Sequence, residues 1–379
     1  MIPAEAATPV RFDDARRLAT LQLFRSENVG PATFDALLKR FGSAQAALDA
    51  LPDLARAGGS RRPIRVATRA EAVAEIERAE RIGARFLCRG ETEFPVNLAE
   101  GENTAPIVAV MGDAKTLARP SVAVVGARNA SLAGVRFCKE LCTEFGAAGV
   151  VVVSGLARGI DTAAHKASVA TGTVGVFAGG LDKPYPDENR PLMRQIVDAG
   201  GCLLSEMPFG WAPRANDFPR RNRVIAGLSM GLLVVEAALR SGSLISARYA
   251  GELGRLVFAV PGSPIDPRSQ GANQLLKDGA ILVTEAADLI AALRPLDPRV
   301  LTAPPAILAE PPSGAPEHSL PEEDARQRIV EALSPVPARI DDLVDHTGAS
   351  VSTVQGVLIE LDLAGRLERH PGGLVSLLA

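Results

Sequence analysis

Short apolar, β-branched runs alternate with helical segments through the middle of the chain. Seven such runs lie at 121–125, 150–153, 173–177, 202–204, 231–235, 256–260 and 280–283. Continuous apolar runs separated by helices are typical of parallel strands that are buried on both faces. The pattern therefore predicts an α/β fold with a Rossmann-like, doubly wound sheet domain, whose ligands would bind beyond the carboxyl ends of the strands.

The apolar pattern is helical before this region. Residues 1–70 are predicted to form a helical domain, in which Phe34, Leu37 and Phe41 recur at helical spacing. A breaker at 28–33, with Pro31 in the first turn of the next helix, resembles the turn of a helix-hairpin-helix or SAM-like unit. A small helical bundle without a ligand fits the same pattern.

Three amphipathic helices and a β-hairpin are predicted at the other end of the chain. The helices are expected at 323–333, 340–347 and 350–363 and the hairpin at 367–378, which together indicate a winged-helix domain over 322–379. Residues 298–321 are rich in Pro, Ala and Glu and are the expected linker, which would let the winged helix sit away from the sheet. The remaining residues, 71–297, form the extended Rossmann-like domain.

Composition narrows the class of protein. The 379 residues are 47% hydrophobic and 22% charged, as in folded globular proteins, and the net charge of −3 requires any polyanion site to be a local patch. No apolar stretch approaches the roughly 18 residues of a membrane span, and no secretory signal is evident. Cys138 and Cys142 lack nearby paired ligands, so core positions are favoured over a metal site. We expect a cytoplasmic protein with free thiols and no metal or cofactor.

Glycine-rich turns follow four of the predicted strands. They lie at 126–131, 154–161, 178–182 and 241–244. Glycine lets backbone amides approach an anion closely, and a helix N-terminus favours negative charge. The candidate phosphate-binding residues in these turns are Gly126, Arg128, Ser131, Ser154, Gly155, Arg158, Gly179, Gly242 and Ser243. Four such turns at one edge of a sheet predict a rim that holds several successive phosphates, with Ser131 also capping the next helix.

A cluster of arginines strengthens this prediction. Phe218, Arg220, Arg221, Asn222 and Arg223 place three guanidinium groups beside an aromatic ring, suited to phosphate oxygens and to base stacking. Taken alone, the run is better explained as a solvated helix start, and the glycine-rich turns of the same domain are what favour a polyanion site. Residues 205–255 contain seven Arg, no Lys and four acidic residues, a net +3 within an acidic chain.

Several enzyme classes lack their signatures here. The Gly-x-Gly-x-x-Gly fingerprint and the Walker motif are absent, which argues against nicotinamide or flavin enzymes and against ATP hydrolysis. Asp161 and His165 lie one turn apart on a predicted helix. A capping Asp and a hydrogen-bonded His are favoured there over a catalytic dyad.

These motifs together resemble the bacterial DNA-processing protein A family, also called DprA or Smf. The resemblance spans about 85–290 and rests on the motifs at 125–128, 154–161, 185–189, 205–206, 218–225, 241–244, 260–262 and 271–280. It implies a non-enzymatic, homodimeric protein that binds single-stranded DNA and loads the recombinase RecA during natural transformation. Ala127 replaces a Ser common in the family, and Ala133 an aromatic residue, so one phosphate contact is expected to be missing.

Two other functions remain open. Phosphoribohydrolases have a related sheet, but the comparable turn here, 240–244, lacks the Glu of their Pro-Gly-Gly-x-Gly-Thr-x-x-Glu signature. A duplex-binding regulator would use the winged helix, yet 322–379 has a net charge of −5 and no basic residue in 350–363. A protein contact or a regulatory role is favoured for that domain, which we expect to be dispensable for binding a single strand.

Overall fold

The computed structural model describes residues 14–57, 63–101, 104–300, 322–363, 366–370 and 374–378. It contains a helical N-terminal part, a central α/β sheet domain and a C-terminal winged helix, as predicted. Within these ranges, no helix combines the length and the apolar character that crossing a membrane requires.

Four helices precede the sheet: α1 (Asp14–Phe24), α2 (Pro31–Phe41), α3 (Ala44–Ala57) and α4 (Arg69–Arg81). Pro31 begins α2 after Gly30, as expected from the breaker. Leu21 and Phe24 of α1 belong to the same apolar core as residues of the sheet. Arg25 pairs with Glu75 of α4 at 3.0 Å and also donates to the backbone oxygen of Glu206 at 3.1 Å. The helical part is therefore joined to the sheet domain by both apolar and polar contacts.

The central sheet has nine strands. They are β1 (Ala84–Cys88), β2 (Ile107–Gly112), β3 (Ser121–Val125), β4 (Val151–Ser154), β5 (Thr173–Val176), β6 (Cys202–Ser205), β7 (Gly231–Val234), β8 (Leu256–Ala259) and β9 (Ile281–Leu282). Their order is β1-β2-β6-β5-β4-β3-β7-β8-β9. The seven predicted strands, β3 to β9, are confirmed and run parallel, while β1 and β2 extend the sheet in antiparallel pairing.

Helices cover both faces of this sheet. They are α5 (Val96–Glu100), α6 (Leu132–Ala147), α7 (Ile160–Ser168), α8 (Arg190–Asp198), α9 (Asp217–Leu228), α10 (Gly242–Glu252), α11 (Gln270–Lys277) and α12 (Ala286–Leu293). Alternate residues of β3 enter different cores: Val122 and Val124 contribute to one, Ala123 and Val125 to the other. This period of two is what a strand buried on both faces requires. Cys138 and Cys142 are buried core residues, as expected.

The topological switch point lies between β3 and β7. Strand order runs outward from β3 through β4, β5 and β6 on one side and from β7 through β8 and β9 on the other. Open α/β sheets bind ligands in the crevice that opens there, beyond the carboxyl ends of the strands. The turns after β3 and β7 lie at this point, and the turn after β4 lies beside them.

The winged helix consists of α13 (Glu322–Ala332), β10 (Ala338–Arg339), α14 (Ile340–Thr347), α15 (Val351–Leu363), β11 (Leu367–His370) and β12 (Leu374–Leu377). The strands pair antiparallel in the order β10-β12-β11. Its helices pack around a core of their own that contains Ile329, Leu343 and Leu358. The predicted hairpin is confirmed, and its turn at 371–373 lies outside the described residues.

The winged helix packs against the sheet domain, so the expectation that it sits away from the sheet is wrong. Leu132 of α6 is part of the winged-helix core. Arg268, in the loop before α11, donates to the backbone oxygens of Glu331 and of Leu333, the latter at 2.8 Å. Val300 is buried in the sheet-domain core, so the chain still packs there beyond 298, the expected start of the linker. Residues 301–321 lie outside the described ranges.

Candidate nucleic-acid interface

The turn after β3 contains a helix cap, but its donors bind a carboxylate of the protein itself, where a phosphate was predicted. Ser131 caps α6 as predicted, because its Oγ accepts from the Gly134 amide at 2.9 Å. Its own amide and hydroxyl donate to the two carboxylate oxygens of Glu236, at 2.9 and 2.5 Å. Burial raises the pKa of Glu236, and the bonds from Ser131 oppose that shift. This arrangement does not support a phosphate contact by Ser131, which is fully buried.

A second internal carboxylate fills the turn after β4. The amides of Gly155 and Ala157 donate to Oδ2 of Asp161 at 3.1 and 3.3 Å. Ser154 is buried and donates to the Val124 carbonyl at 2.7 Å. Burial raises the pKa of Asp161, whereas the charge of Arg221 and the two amides lower it. The turn therefore binds its own carboxylate, and Gly155 and Ser154 are not placed to hold a phosphate.

The helix-capping role predicted for Asp161 is wrong, because the N-cap of α7 is Gly159, no side chain caps this helix, and the carboxylate of Asp161 accepts from amides of the preceding turn instead. The hydrogen-bonded state predicted for His165 is confirmed. His165 lies 2.8 Å from the Thr173 hydroxyl through Nδ1. Burial lowers its pKa to about 3, so the imidazole is neutral at physiological pH. A neutral His bonded to Thr173 and an Asp bonded to backbone amides do not form an acid–base pair.

The turns after β3 and β4 pack closely against each other. Three residues outside the predicted site, Leu156, Gly159 and Asn189, make this packing possible. Gly159 has a φ of +71°, and a Cβ there would collide with the backbone of Ala127 and Arg128. Leu156 has a φ of +60°, unusual for a residue with a side chain. Asn189 donates to the Leu156 carbonyl at 2.8 Å and to the Thr162 hydroxyl at 2.9 Å, and so fixes this turn.

Two of the three remaining glycines of the predicted rim, Gly126 and Gly179, are sites of close packing. Gly126 lies against Ile160, and its carbonyl accepts from the buried Ser243 hydroxyl at 2.9 Å. Gly179 lies against the backbone of Trp211, and its carbonyl accepts from Ser205 at 2.7 Å. Gly242, the first residue of α10, has open space around it. Of these turns, the one at Gly242 remains accessible to a ligand.

The accessible chemistry is an arginine–aromatic cluster, formed by Arg128, Tyr185 and Phe218. The exposed Arg128 guanidinium lies 5.5 Å from the centre of the Phe218 ring. Tyr185 meets the same ring at 5.8 Å with an interplanar angle of 68°, and 54% of Tyr185 is exposed. Such a cluster suits stacking of a base and contact with its phosphate. Tyr185 was absent from the predicted site, although it belongs to the motif at 185–189.

Arg221 differs from the exposed side chain that the arginine run suggested. It is buried and donates through Nη1 to the Gly155 carbonyl and, at 3.3 Å, to the Val176 carbonyl. Burial lowers its pKa, and the charge of Asp161 opposes that shift. Position 221 shares a helix face with Val224, Ile225 and Leu228, which are buried, and this spacing is the signal that could have revealed its burial. Its guanidinium therefore links the carboxyl ends of β4 and β5 by hydrogen bonds and also contacts the Phe218 ring.

The other residues of the run are at least partly accessible. Arg220 is 47% exposed and lies 3.5 Å from the buried Glu206 carboxylate. Burial raises the pKa of Glu206, and Arg220 and Arg223 oppose that shift. Asn222 donates to the Gly242 carbonyl at 3.3 Å and so links α9 to α10. Across the turn, exposed Arg158 pairs with Glu188. Arg128, Arg158, Arg220 and Arg223 therefore supply the positive charge of this edge.

A cavity of about 860 Å³ lies over the cluster. Its lining from the sheet domain includes Arg128, Asn129, Arg158, Tyr185 and Phe218. Residues of the winged helix form the opposite wall. Among the described residues, no three His, Cys, Asp or Glu side chains are grouped as a metal site requires.

Comparison with known proteins gives consistent matches over most of the chain. A family model described as DNA recombination-mediator protein A matches residues 85–294. Models of a DprA-like N-terminal HHH domain and of a DprA winged helix domain match 14–79 and 310–373. Protein Smf of Escherichia coli is 38% identical over 294 residues, which cover 77% of each chain. DNA processing protein DprA of Streptococcus pneumoniae is 42% identical over 200 residues, 52% of this chain and 70% of that protein.

Solved structures match in the same way. The X-ray structure of DprA from Streptococcus pneumoniae aligns with a TM-score of 0.63 at 32% identity and covers 74% of this chain and 98% of its own. A structure of DNA processing protein A from Helicobacter pylori, described as having a unique single-stranded DNA binding mode, aligns with a TM-score of 0.51 at 28% identity. It covers 55% of this chain and 95% of its own. From the domain models, the relatives and the fold, the chain belongs to the DNA recombination-mediator protein A family.

Proposed function

We propose that this protein binds single-stranded DNA at the arginine–aromatic cluster and acts as a recombination mediator. The observation that carries the proposal is the exposed stacking surface of Arg128, Tyr185 and Phe218 at the carboxyl edge of the sheet. Family membership and the single-strand binding described for the Helicobacter pylori relative support it.

The proposed mode of binding combines phosphate contacts with stacking. Arg128, Arg158 and Arg220 contact phosphates, while Phe218 and Tyr185 stack on bases. Stacking accepts any base, because every base presents a π-face, and phosphate contacts carry no sequence information. Binding should therefore be independent of sequence and strongly dependent on salt.

We propose a non-enzymatic role. The two buried carboxylates near the strand ends, Asp161 and Glu236, are bound by backbone amides and by Ser131. Carboxylates held in this way support the turns rather than face a substrate. The alternative, a phosphoribohydrolase acting on a nucleoside monophosphate, predicts release of the base from AMP, which mass spectrometry would detect.

Family membership also supports the remaining parts of the proposal. The partners would be RecA, loaded onto the bound strand as in natural transformation, and a second copy of the chain. The location would be the cytoplasm, where an incoming strand meets RecA.

Fluorescence anisotropy tests the proposal with a labelled oligonucleotide and its matched duplex over a salt series. The single strand should bind more tightly, and log K should fall with log salt by about 0.7 for each phosphate neutralised. Arg128→Ala should reduce that slope by about 0.7. Arg85→Ala is the matched control, since Arg85 belongs to β1, an edge strand of the sheet, and pairs with Glu93. Equal or tighter binding to the duplex would overturn the proposal.

A further inference from the structure

The winged helix lies across a cavity from the arginine–aromatic cluster. Asp324, Gln327, Arg328 and Glu331 of α13 line the same cavity as Arg128, Arg158 and Phe218. Their spacing of three and four residues places them on one face of α13. An adjacent face, with Ala325 and Ile329, is buried in the winged-helix core. The polar face of α13 is therefore presented to the candidate DNA site by the packing of its own domain.

Charge on this face opposes a phosphate backbone. The carboxylates of Asp324 and Glu331 line the cavity opposite the arginines of the sheet domain. The pKa of Arg158 is raised chiefly by Glu188, with a smaller contribution from Asp324. The cavity-lining face of α13 thus carries two carboxylates, Asp324 and Glu331, against one guanidinium, Arg328, and its net negative charge would repel a phosphate backbone.

Arg268 holds the helix in place. Its guanidinium donates to the backbone oxygens of Glu331 and Leu333, at the carboxyl end of α13. The last carbonyls of a helix have no partner within the helix and carry partial negative charge, so a guanidinium is well suited to bind them. Asp266 orients Arg268 through a salt bridge of 3.0 Å. The contact joins the loop before α11 directly to the carboxyl end of α13.

A cavity of limited volume remains between the arginine–aromatic cluster and α13. Its volume of about 860 Å³ falls in the range of pockets for single small ligands, roughly 300–1,000 Å³. A strand lying across Arg158, Phe218 and Arg220 must enter at one side and leave at the other. The α13 helix forms one wall of that path.

We propose that the winged helix is an autoinhibitory cover, that Arg268 is its latch, and that single-stranded DNA binds after α13 has moved away. This inference rests on the proposed function of the cluster beneath it. When the binding-competent form is a minor fraction, the apparent affinity falls by that fraction. Weakening the latch should therefore strengthen DNA binding, although it removes a positive charge from the protein.

The test compares Arg268→Ala with the wild-type full chain in single-strand binding by anisotropy. We expect affinity to rise about tenfold, the effect of losing about 1.4 kcal/mol of closure, as for a charge-assisted hydrogen bond. Arg85→Ala, which removes one arginine of the edge strand β1, should leave affinity unchanged. Unchanged or weaker binding by Arg268→Ala, with wild-type binding intact, overturns the cover and leaves the proposed function standing. If neither protein binds a single strand, the proposed function fails, and the cover with it.

Hydrogen–deuterium exchange of the wild-type chain gives a second measurement that needs no variant. Saturating single-stranded oligonucleotide should speed exchange at 329–334, where α13 meets Arg268, and should slow it at 127–131. Slower exchange at 329–334 would overturn the cover. In that case α13 contacts the strand, and Arg328, whose buried Nη2 lacks a hydrogen-bond partner among the described residues, would be the group to examine.

Discussion

Arg221 and Arg128 contact the same aromatic ring from different environments, and their alanine variants should behave differently. Arg128 is exposed at 5.5 Å from the Phe218 ring, and Arg221 is buried at 5.7 Å from it. We expect Arg221→Ala to destabilise the fold strongly. We expect Arg128→Ala to weaken DNA binding by about 1–3 kcal/mol without affecting the fold. The two variants therefore separate the structural arginine from the accessible one.

The cost of Arg221→Ala follows from the groups that it leaves behind. The carbonyls of Gly155 and Val176 lose a buried donor, and each unsatisfied group costs about 1–3 kcal/mol. Asp161 loses the cation that favours its charged form. Removing one member of a buried charge network typically costs about 3–5 kcal/mol, which corresponds to a fall in Tm of about 6–20 °C for a domain of this size.

Thermal unfolding by circular dichroism and urea titration measure this difference directly. Arg128→Ala is the matched control, because an exposed substitution usually changes stability by less than about 0.5 kcal/mol. A fall in Tm below about 2 °C for Arg221→Ala would refute the argument that its guanidinium supports the strand ends. Intact DNA binding by Arg128→Ala would instead refute the assignment of the accessible site.

Phe218→Leu should weaken single-strand binding by about 1–3 kcal/mol in anisotropy with little change in Tm, because it removes the stacking ring but keeps apolar bulk. Burial lowers the pKa of His165 to about 3, so the neutral imidazole is fully compatible with the fold above pH 6.5, and the free energy of unfolding falls as the pH decreases from 6.5 toward 3. Between pH 6.5 and 5, urea unfolding should show that the wild type loses about 2 kcal/mol more of this free energy than His165→Gln does. We predict that the chain forms a homodimer through residues 274–289, where Leu282 of the edge strand β9 is 50% exposed. Light scattering at tens of micromolar should show a dimer for the wild type and a monomer for Leu282→Glu.

The strands that sequence predicts well are those buried on both faces. The runs that form β3 to β9 are short, continuous and apolar, and they alternate with helical segments, which is the pattern of buried parallel strands. The strand β1 reads Ala-Arg-Phe-Leu-Cys and alternates only in part, because Arg85 is exposed at the edge of the sheet. Its antiparallel pairing with β2 depends on contacts between distant segments, which a local pattern does not contain.

The sequence predicts the location of the candidate site better than it predicts which groups the site residues bind. Turn residues were placed correctly at the carboxyl edge of the sheet, because glycine after an apolar run marks a strand end. The partners of their amides were not apparent, since Glu236 lies 105 residues from Ser131 along the chain. The docking of α13 through Arg268 was equally hidden, because it depends on a contact 63 residues apart between two domains.

The core shared by α1 and the sheet makes the N-terminal helices part of one cooperative unit rather than a detachable module. Leu21 and Phe24 pack in the same core as Phe86 of β1 and Ile107 of β2, and Arg25 bonds both α4 and the residue after β6. Cutting the chain near residue 70 would expose apolar surface on β1 and β2 and leave Glu75 and Glu206 without Arg25. Loss of a function in such a truncated chain would report damage to the sheet edge. The function of the helices is better assigned with point substitutions on their exposed faces.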